Sequence, residues 1–379
     1  MFAVGLRIAA VAVAAAGAPP AAGAACADFS LPPAALDLRA GITIDQWLVT
    51  VPPTKTIAAA DIRGIREAGF RYVRLPVNPA PLLSGERFAP ERTGDLRDAL
   101  EIILGERMPV LVVVHPEPEF KRRFLLDAAA RLELARILDA LAGWLAAWPK
   151  DRLAFGLMAE PFAPEGAVDW NWSAIQRELL LAVRRVMPEH LVVCAGARYG
   201  TIEGLLDLEP AADPRVVYDF HCYDPFTFTH QGAAWTKNWA GVYRDLACFR
   251  NVPYPSTPED VAAIIPAIVA AAPADHRADL ERHFRVYGEE RWDGARVRAE
   301  ISKAAEWARA HRAALMCGEF GVLATAPAAD RLRYLRDVRS ACEERGIGWA
   351  VWSYHTEFRI AEPDRRIGGA MREALTGAR

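Results

Sequence analysis

The chain has 379 residues, 52% of them hydrophobic and 25% charged, and a formal net charge of −3 at pH 7. This composition supplies a large apolar core, and the nearly balanced charge gives no reason to expect a nucleic-acid partner. The length would suit two average domains, but barrels of alternating strands and helices often reach this size as one unit. We therefore expect a single domain over residues 26–379.

The first 25 residues have the features of a secretory signal peptide. Arg7 is their only charged residue, an alanine- and valine-rich stretch occupies 8–16, and the small residues at 22–24 fit a cleavage site. The segment predicts export, to the periplasm or out of the cell. No later segment is long and apolar enough to cross a bilayer, so we expect a soluble mature chain without a membrane span.

Taken in order after this segment, the chain alternates between strand and helix patterns. Strands are predicted at 41–44, 71–77, 110–114, 155–160, 191–195, 216–220, 315–319 and 347–352. Helices are predicted at 58–69, 95–104, 128–148, 173–186, near 205, at 295–311 and at 330–344. Eight strands separated by helices indicate a (β/α)8 TIM barrel of parallel strands. The connection at about 224–294 is too long for an ordinary crossover, and we expect a lobe with its own helix at 258–271.

Two of the predicted strands end on a glutamate. Phe155-Gly-Leu-Met-Ala-Glu160-Pro is an apolar run closed by a carboxylate and a proline, and Leu315-Met-Cys-Gly-Glu319 repeats the arrangement. An unpaired carboxylate in a core would cost several kcal/mol or take up a proton. Because barrel sites form at the C-terminal ends of the strands, the two glutamates are predicted to share one site.

Other polar and aromatic residues fall at the same end of the predicted barrel. Each could be structural when considered alone: an ion pair, a core histidine or simple packing. Together with the glutamates they form a candidate site of seven residues: Arg74, His115, Glu160, His221, Tyr223, Glu319 and Trp352.

This ordered set resembles the cellulase-like retaining β-glycosidases of glycoside hydrolase family 5. The resemblance spans nearly all of the mature chain, through Val73-Arg-Leu-Pro76, Val114-His115, Glu160-Pro161, His221-Cys-Tyr223, Gly318-Glu-Phe-Gly321 and Trp352. It implies that Glu319 is the nucleophile and Glu160 the acid/base. It further implies that Arg74 and Tyr223 orient Glu319, that His115 and His221 bind sugar hydroxyls or orient the glutamates, and that Trp352 lies under the sugar.

The chemistry accounts for these residue types. A retaining glycosidase needs two carboxyl groups about 5 Å apart, one to attack the anomeric carbon and one to protonate the leaving oxygen. The ionised neighbour is expected to raise the pKa of the acid and keep it protonated. One position departs from the family pattern: the asparagine expected before the acid/base is Ala159, so the usual bond to the substrate's 2-hydroxyl must come from elsewhere or be lost.

The expected substrate is a β-linked polysaccharide or oligosaccharide, with endo-action on β-1,4-glucan preferred. Trp170, Trp172, Trp235 and Trp239 are predicted on loops, where they either stack on sugar rings or anchor the lobe. A β-mannanase and an exo-β-glucanase or exopolysaccharide hydrolase stay open within the same fold. A non-catalytic sugar-binding protein, suggested by Ala159, and a metal hydrolase are the alternatives of other classes.

No metal or other cofactor is expected. The sequence contains no cysteine or histidine spacing typical of zinc sites. Six cysteines in an exported chain permit a disulfide, and a bridge between Cys222 and Cys248 stays open, whereas Cys194 and Cys317 are expected in the core. We expect a monomer, although the sequence leaves the oligomeric state open.

Overall fold

The computed structural model describes residues 36–49 and 57–377. The predicted signal peptide lies outside these residues. In the described part of the chain eight parallel strands close into a barrel: β1 Ala40–Thr43, β2 Tyr72–Val77, β3 Val110–Val114, β4 Leu153–Gly156, β5 Val192–Ala195, β6 Val216–Cys222, β7 Ala314–Phe320 and β8 Gly348–Val351. Each strand pairs with the next along the chain, and β8 pairs with β1. The predicted TIM barrel is confirmed.

The strands form where the sequence offers short runs that are apolar on both faces. β3 reads Val-Leu-Val-Val-Val, and all five residues are buried, because one face packs inside the barrel and the other against the helices. Inside the barrel lies a small apolar cluster that includes Tyr72, Leu111, Val113, Val193, Val217 and Met316. This cluster closes the barrel interior below the C-terminal ends of the strands.

Helices surround the barrel and cover its outer face. They are Ala59–Glu67, Gly94–Gly105, Pro118–Phe124, Ala128–Leu145, Trp172–Val186, Ile202–Leu206, Gly294–His311, Ala328–Glu343 and Gly369–Thr376. Three long helices begin at residues whose side chains accept a backbone N–H of the first turn, namely Asp127, Asn171 and Asp293. Between β2 and the helix that starts at Gly94, a small hairpin pairs Leu83–Ser84 with Arg87–Phe88, flanked by the 3₁₀ turns Ala80–Leu82 and Pro90–Arg92.

The long insertion after β6 is confirmed. It contains helices Phe226–Thr229, Pro258–Ala271 and Arg277–Glu290 and 3₁₀ segments Gly241–Cys248 and Ala274–His276. The helix at 258–271 has the predicted bounds, but the sequence analysis missed its packing partner at 277–290. That helix is rich in charge, and only Leu280, Phe284, Tyr287 and Gly288 are buried. A narrow apolar stripe at spacings of three and four residues was the signal that could have revealed it.

The fourth strand is shorter than predicted. It ends at Gly156 rather than at Glu160. The next residues still follow the barrel rim, because the amide of Ala159 donates to the carbonyl of Val114 at 2.8 Å. Glu160 itself has a left-handed backbone with φ of 50°, which ends strand geometry and turns its side chain toward the cleft described below.

The cysteines resolved by the structure are all free thiols. Cys194 and Cys317 are buried in the core as predicted, and Cys222 and Cys248 do not form a bridge. Among the described helices none has both the length and the apolar character needed to cross a membrane.

Candidate active site

A cleft of about 1070 Å³ opens where the barrel strands end. Five of the seven predicted site residues line it: His115, Glu160, Tyr223, Glu319 and Trp352. The other two, Arg74 and His221, are buried and contact the glutamates from within the barrel. The structure therefore brings all seven residues into one place.

Glu319 lies in a fixed, buried environment at the end of β7. The Nη2 atom of Arg74 is 2.7 Å from its Oε1, and the hydroxyl of Tyr223 donates to its Oε2 at 3.0 Å. Burial opposes the charge of Arg74, but the attraction of Glu319 and Asp219, with smaller contributions from Tyr223 and Tyr72, together outweighs it and raises the pKa of the guanidinium. Oε2 of Glu319 thus accepts a hydrogen bond and Oε1 lies in an ion pair, and these two contacts orient the carboxylate.

Glu160 is held differently, through its backbone as well as its side chain. The Nζ atom of Lys121 donates to the Glu160 carbonyl at 2.9 Å, and Nδ1 of His221 is 3.2 Å from Oε1. The side chain of Glu160 is 30% exposed, against 3% for Glu319. Glu160 is therefore the carboxyl group that a ligand oxygen in the cleft reaches more freely.

His221 connects the two glutamates. Its Nε2 atom is 3.6 Å from Oε1 of Glu319 and 3.6 Å from Oδ2 of Asp219, while Nδ1 faces Glu160. Burial alone would lower the pKa of His221, but the charge of Glu319 and the hydrogen bonds to Asp219 and Glu160 raise it to about 10. At neutral pH the ring is an imidazolium among three carboxylates.

The expectation of a raised acid pKa is wrong for this site. Burial would raise the pKa of Glu160, but the hydrogen bond and the positive charge of His221 outweigh that effect and lower it. The sequence argument considered only the anionic neighbour Glu319 and not the cation between the two. The imidazolium of His221, one hydrogen bond away from Glu160, therefore carries a proton near neutral pH.

Asp219 is a site residue that the sequence analysis missed. It lies in β6, two positions before His221 and on the same face, and its Oδ1 accepts the amide of Gly318 at 2.6 Å. Through this bond it fixes the turn of β7 just before Glu319. A buried aspartate within the apolar run Val-Val-Tyr-Asp-Phe was the signal that could have identified it.

The separation of the two carboxyl groups indicates the type of chemistry available. Oxygen atoms of Glu160 and Glu319 lie within 4.8 Å of each other and of a ring nitrogen of His221. This distance agrees with the separation of about 5 Å between the carboxyl groups of retaining glycosidases. It is shorter than the separation of roughly 6.5–9.5 Å in inverting glycosidases. The same three residues could approach a metal ion, but a cation there would lie beside the guanidinium of Arg74 and the imidazolium of His221 and be repelled by both.

His115 and Trp352 form the floor of the cleft between the glutamates. Their ring centroids are 5.7 Å apart at a tilt of 35°, and the guanidinium carbon of Arg74 is 6.0 Å from the centroid of Trp352. Burial lowers the pKa of His115 to about 3, so the ring is neutral near pH 7. It can donate to or accept from a sugar hydroxyl, next to an aromatic face on which a sugar ring can rest.

The four loop tryptophans divide into two pairs. Trp235 and Trp239 line the cleft and are 44% and 43% exposed. Trp172 is buried, and its Nε1 donates to the Ala195 carbonyl at 2.8 Å, while Trp170 stacks on it with centroids 5.9 Å apart. Trp235 and Trp239 are therefore placed where sugar rings could stack on them. Trp170 and Trp172 pack within the protein and have a structural role.

Aromatic residues from two further loops complete the cleft wall. The insertion contributes Phe226, which stacks on His230 and on Trp239. On the Glu160 side, Tyr199 stacks on Phe162 at 5.1 Å and is 56% exposed, and its amide donates to the carbonyl of Pro161. The sequence analysis missed Phe162 and Tyr199, because their backbone placement depends on a left-handed turn at 198–199 that no local pattern indicates.

A parallel eight-stranded barrel with two glutamates close together at the strand ends is an arrangement found in glycoside hydrolases. Residues 40–357 match the sequence model of the family Cellulase (glycosyl hydrolase family 5). The chain belongs to this family and is a glycoside hydrolase.

Curated relatives agree with this assignment. Endoglucanase C of Acetivibrio thermocellus is 26% identical over 349 residues, covering 87% of this chain and 95% of that protein. Endoglucanase 3 of Fibrobacter succinogenes is 23% identical over 352 residues, covering 88% of this chain. The match spans only 52%, about half, of the length of the Fibrobacter protein.

Solved structures share the fold. A hyperthermophilic endo-β-1,4-glucanase in complex with substrate superposes with a TM-score of 0.71 at 19% identity, covering 90% of this chain and 97% of the other. The endoglucanase of Thermotoga maritima superposes with a TM-score of 0.70 at 19% identity, covering 89% and 97%. At this identity the likeness concerns the barrel itself.

Proposed function

We propose that the chain is a retaining endo-β-1,4-glucanase in which Glu319 is the nucleophile and Glu160 the acid/base. The observation that carries the proposal is the pair of carboxyl groups within 4.8 Å, one clamped and one accessible, in a cleft at the strand ends. A clamped, ionised carboxylate suits in-line attack, and an accessible one suits proton exchange with the substrate and with water.

In the first step a carboxylate oxygen of Glu319 attacks the anomeric carbon. The bond from that carbon to the glycosidic oxygen breaks, and the oxygen takes a proton from Glu160, so a glycosyl ester forms on Glu319. Arg74 and Tyr223 hold the attacking group in place, which reduces the entropy lost on reaching the transition state. Trp352 and His115 support the reacting sugar from below.

In the second step the Glu160 carboxylate takes a proton from a water molecule. The water oxygen attacks the anomeric carbon, the ester bond to Glu319 breaks, and the sugar leaves with its original configuration. Two inversions at one carbon give net retention.

The proton for the first step comes from the pair formed by Glu160 and His221. The imidazolium contacts Oε1 of Glu160 at 3.2 Å and can pass its proton along that hydrogen bond. As Glu319 becomes an ester it loses the negative charge that contributes most to raising the pKa of His221. Attack by Glu319 and release of the proton toward Glu160 are therefore coupled through one histidine.

The substrate assigned to this site is a neutral β-1,4-linked glucan. Trp235 and Trp239 extend the aromatic surface beyond the reacting sugar, as internal cleavage of a chain requires. Several relatives are named endoglucanases. A structure of the Thermotoga enzyme is described as a complex with a mannotriose substrate, which favours mannan as the second candidate. Exo-action on a glucan or exopolysaccharide is the third.

The proposal includes export of a monomeric enzyme. Its support is the composition of residues 1–25, which fits a signal peptide followed by one catalytic domain. Immunoblotting of cell fractions for the chain, with N-terminal sequencing of the exported form, tests the location and the cleavage site. A chain found only in the cytoplasm at full length would contradict it.

The experiment that tests the function is release of reducing ends from β-1,4-glucan, mixed-linkage glucan, β-1,3-glucan and β-mannan. We expect cleavage of β-1,4-glucan with a rapid fall in viscosity, which indicates internal cleavage, and none by the Glu319→Ala variant. Preference for mannan would replace glucan as the assigned substrate. A slow loss of viscosity with release of short sugars only would replace endo-action by exo-action. Activity retained in Glu319→Ala would overturn the mechanism.

A further inference from the structure

Ala159 leaves the reacting centre without a side-chain donor immediately before Glu160. Its side chain is 1% exposed and packs with the apolar cluster inside the barrel. A hydrogen bond to the 2-hydroxyl of the reacting sugar strengthens in the transition state of glycoside hydrolysis. A retaining enzyme of this geometry needs a donor for that hydroxyl from another part of the chain.

Lys121 is a buried cation at this place. It lies in the short helix Pro118–Phe124 after β3, lines the cleft and is only 4% exposed. Its Nζ atom donates to the carbonyl of Glu160 at 2.9 Å and is 5.8 Å from the ring centroid of Phe162. Lysine is almost never fully buried unless its ammonium group has a polar or charged partner, and that group has three hydrogens to donate. The carbonyl of Glu160 accepts one of them.

Lys121 lines the same cleft as both glutamates and His115. Burial lowers the pKa of Lys121, and the carboxylates of Glu160, Glu319 and Glu117 oppose that shift. The ammonium in turn helps to lower the pKa of His115. A cation that donates to the backbone of Glu160 and lines the same cleft as Glu319 and His115 is placed at the proposed cleavage subsite.

Three other donors near the glutamates face carboxylates. Arg74 and Tyr223 contact Glu319, and His221 lies between carboxylates. The neutral ring of His115 is a further donor beside Lys121. The cleft lining also carries Asp45, Glu117 and Glu357, which would repel an anionic sugar. The ligand atom that suits Lys121 is therefore a neutral hydroxyl oxygen rather than a carboxylate.

We propose that Lys121 is a substrate-binding residue that donates a hydrogen bond to the 2-hydroxyl of the sugar between the two glutamates, in place of the amide that Ala159 lacks. This inference rests on the proposed function. The competing role is purely positional: Lys121 would hold the Glu160 carbonyl, and with it the left-handed backbone at that residue, without touching the substrate. The two roles predict different responses to removal of the 2-hydroxyl.

The experiment compares kcat/KM for an aryl β-glycoside and its 2-deoxy analogue with the same leaving group. The wild-type chain is expected to prefer the glycoside over its 2-deoxy analogue. In Lys121→Met, kcat/KM for the glycoside should fall by roughly 10²-fold, the usual effect of removing one transition-state donor. The 2-deoxy analogue should lose far less, so the preference ratio falls by a similar factor. Adding Ala159→Asn to Lys121→Met should restore at least part of the ratio.

Three controls make the result decisive. Lys303→Met removes a lysine that pairs with Glu300 outside the cleft and should leave both substrates unaffected. Lys121→Arg keeps a cation, and thermal unfolding of each variant shows whether it is folded. Equal losses on both substrates, with no rescue by Ala159→Asn, would overturn the inference and leave the proposed function standing. A wild-type chain inert toward every glycoside would overturn both.

Discussion

The two glutamates of the cleft lie in opposite kinds of surroundings. Glu319 is buried, and its two oxygens contact an arginine of the second strand and the tyrosine that follows the sixth strand. Glu160 lies past the end of its strand on a left-handed backbone, partly exposed, and a lysine and a histidine hold it. The surroundings of Glu319, the proposed nucleophile, keep the arginine and tyrosine of the family pattern, whereas this chain departs from that pattern at Ala159, beside Glu160, the proposed acid/base.

Removing each carboxylate should separate their roles. Glu319→Ala is expected to reduce kcat on β-1,4-glucan by roughly 10⁴-fold or more, because no covalent intermediate can form. Azide should restore turnover of an activated aryl glycoside by attacking from the vacated face, and the product should be the α-glycosyl azide. A β-glycosyl azide from this variant would mean that the two roles are exchanged.

Glu160→Ala should depend on the leaving group. Natural substrates need the leaving oxygen protonated, so kcat/KM on glucan should fall by about 10²–10⁴-fold. A dinitrophenyl glycoside leaves without a proton, and its kcat/KM, which reports the first step, should fall by less than about tenfold. Equal losses on both substrates in steady-state assays would show that Glu160 does not supply the proton.

His221→Gln tests how the environment of Glu160 is set. In the wild-type chain the proton of the Glu160–His221 pair is held by the imidazolium, whose pKa is raised to about 10. In the variant Glu160 alone must hold that proton, and although its pKa rises when the imidazolium is lost, a carboxyl group still titrates at lower pH than the raised imidazolium. The alkaline limb of the kcat/KM profile should therefore move to lower pH, and the maximum should fall. His190→Gln is the matched control, since His190 bonds the Trp148 carbonyl away from the cleft. A limb that stays in place or moves to higher pH would contradict a role of His221 in holding the proton.

The histidines of the cleft also predict how stability varies with pH. Burial lowers the pKa of His230 to about 3. Its contribution to the free energy of unfolding is therefore complete above 6.5, the pKa of the group in the unfolded chain, and is lost as the pH falls toward 3. His221, with a pKa raised to about 10, stabilises fully below 6.5 and loses its effect as pH rises toward 10. Each changes the free energy of unfolding by at most about 1.4 kcal/mol per pH unit. Urea unfolding at several pH values should give a maximum near neutrality, and His230→Asn should flatten the acid side; an unchanged slope would contradict this.

The smallest expected effect separates the two tryptophan pairs. Trp239→Ala should raise KM for cello-oligosaccharides by roughly two- to tenfold, the value of one stacking contact, with little change in the thermal midpoint. Trp170→Ala should lower the midpoint and leave KM unchanged, because Trp170 packs on Trp172 away from the cleft. The reverse pattern would show that the lobe is not part of the substrate surface.

The sequence predicted the barrel because its strands are short runs buried on both faces, a pattern that local composition reveals. It also predicted that the seven candidate residues would lie together, since strand ends meet at one face of a barrel. It could not indicate that β4 ends at Gly156, because the backbone hydrogen bonding after this residue depends on the carbonyl of Val114 in the neighbouring strand. The roles of Asp219 and Lys121 depend on which atoms they approach in three dimensions.

The loop residues were the least predictable. Trp172 and Trp239 both occur in polar surroundings in the sequence, yet one is a buried donor to a carbonyl and the other lines the cleft. The lowered pKa of Glu160 likewise follows from a cation supplied by a different strand. Tertiary contacts decide both properties.

The measurement that tests the central claim most directly is trapping of the covalent intermediate. The wild-type chain would be incubated with a dinitrophenyl 2-deoxy-2-fluoro-β-cellobioside, whose fluorine slows hydrolysis of the glycosyl ester, and the labelled peptide would be identified by mass spectrometry. The account predicts one cellobiosyl label per chain, attached to Glu319. A label on another residue, or rapid turnover of the parent cellobioside with no covalent adduct, would contradict a double displacement through the two glutamates.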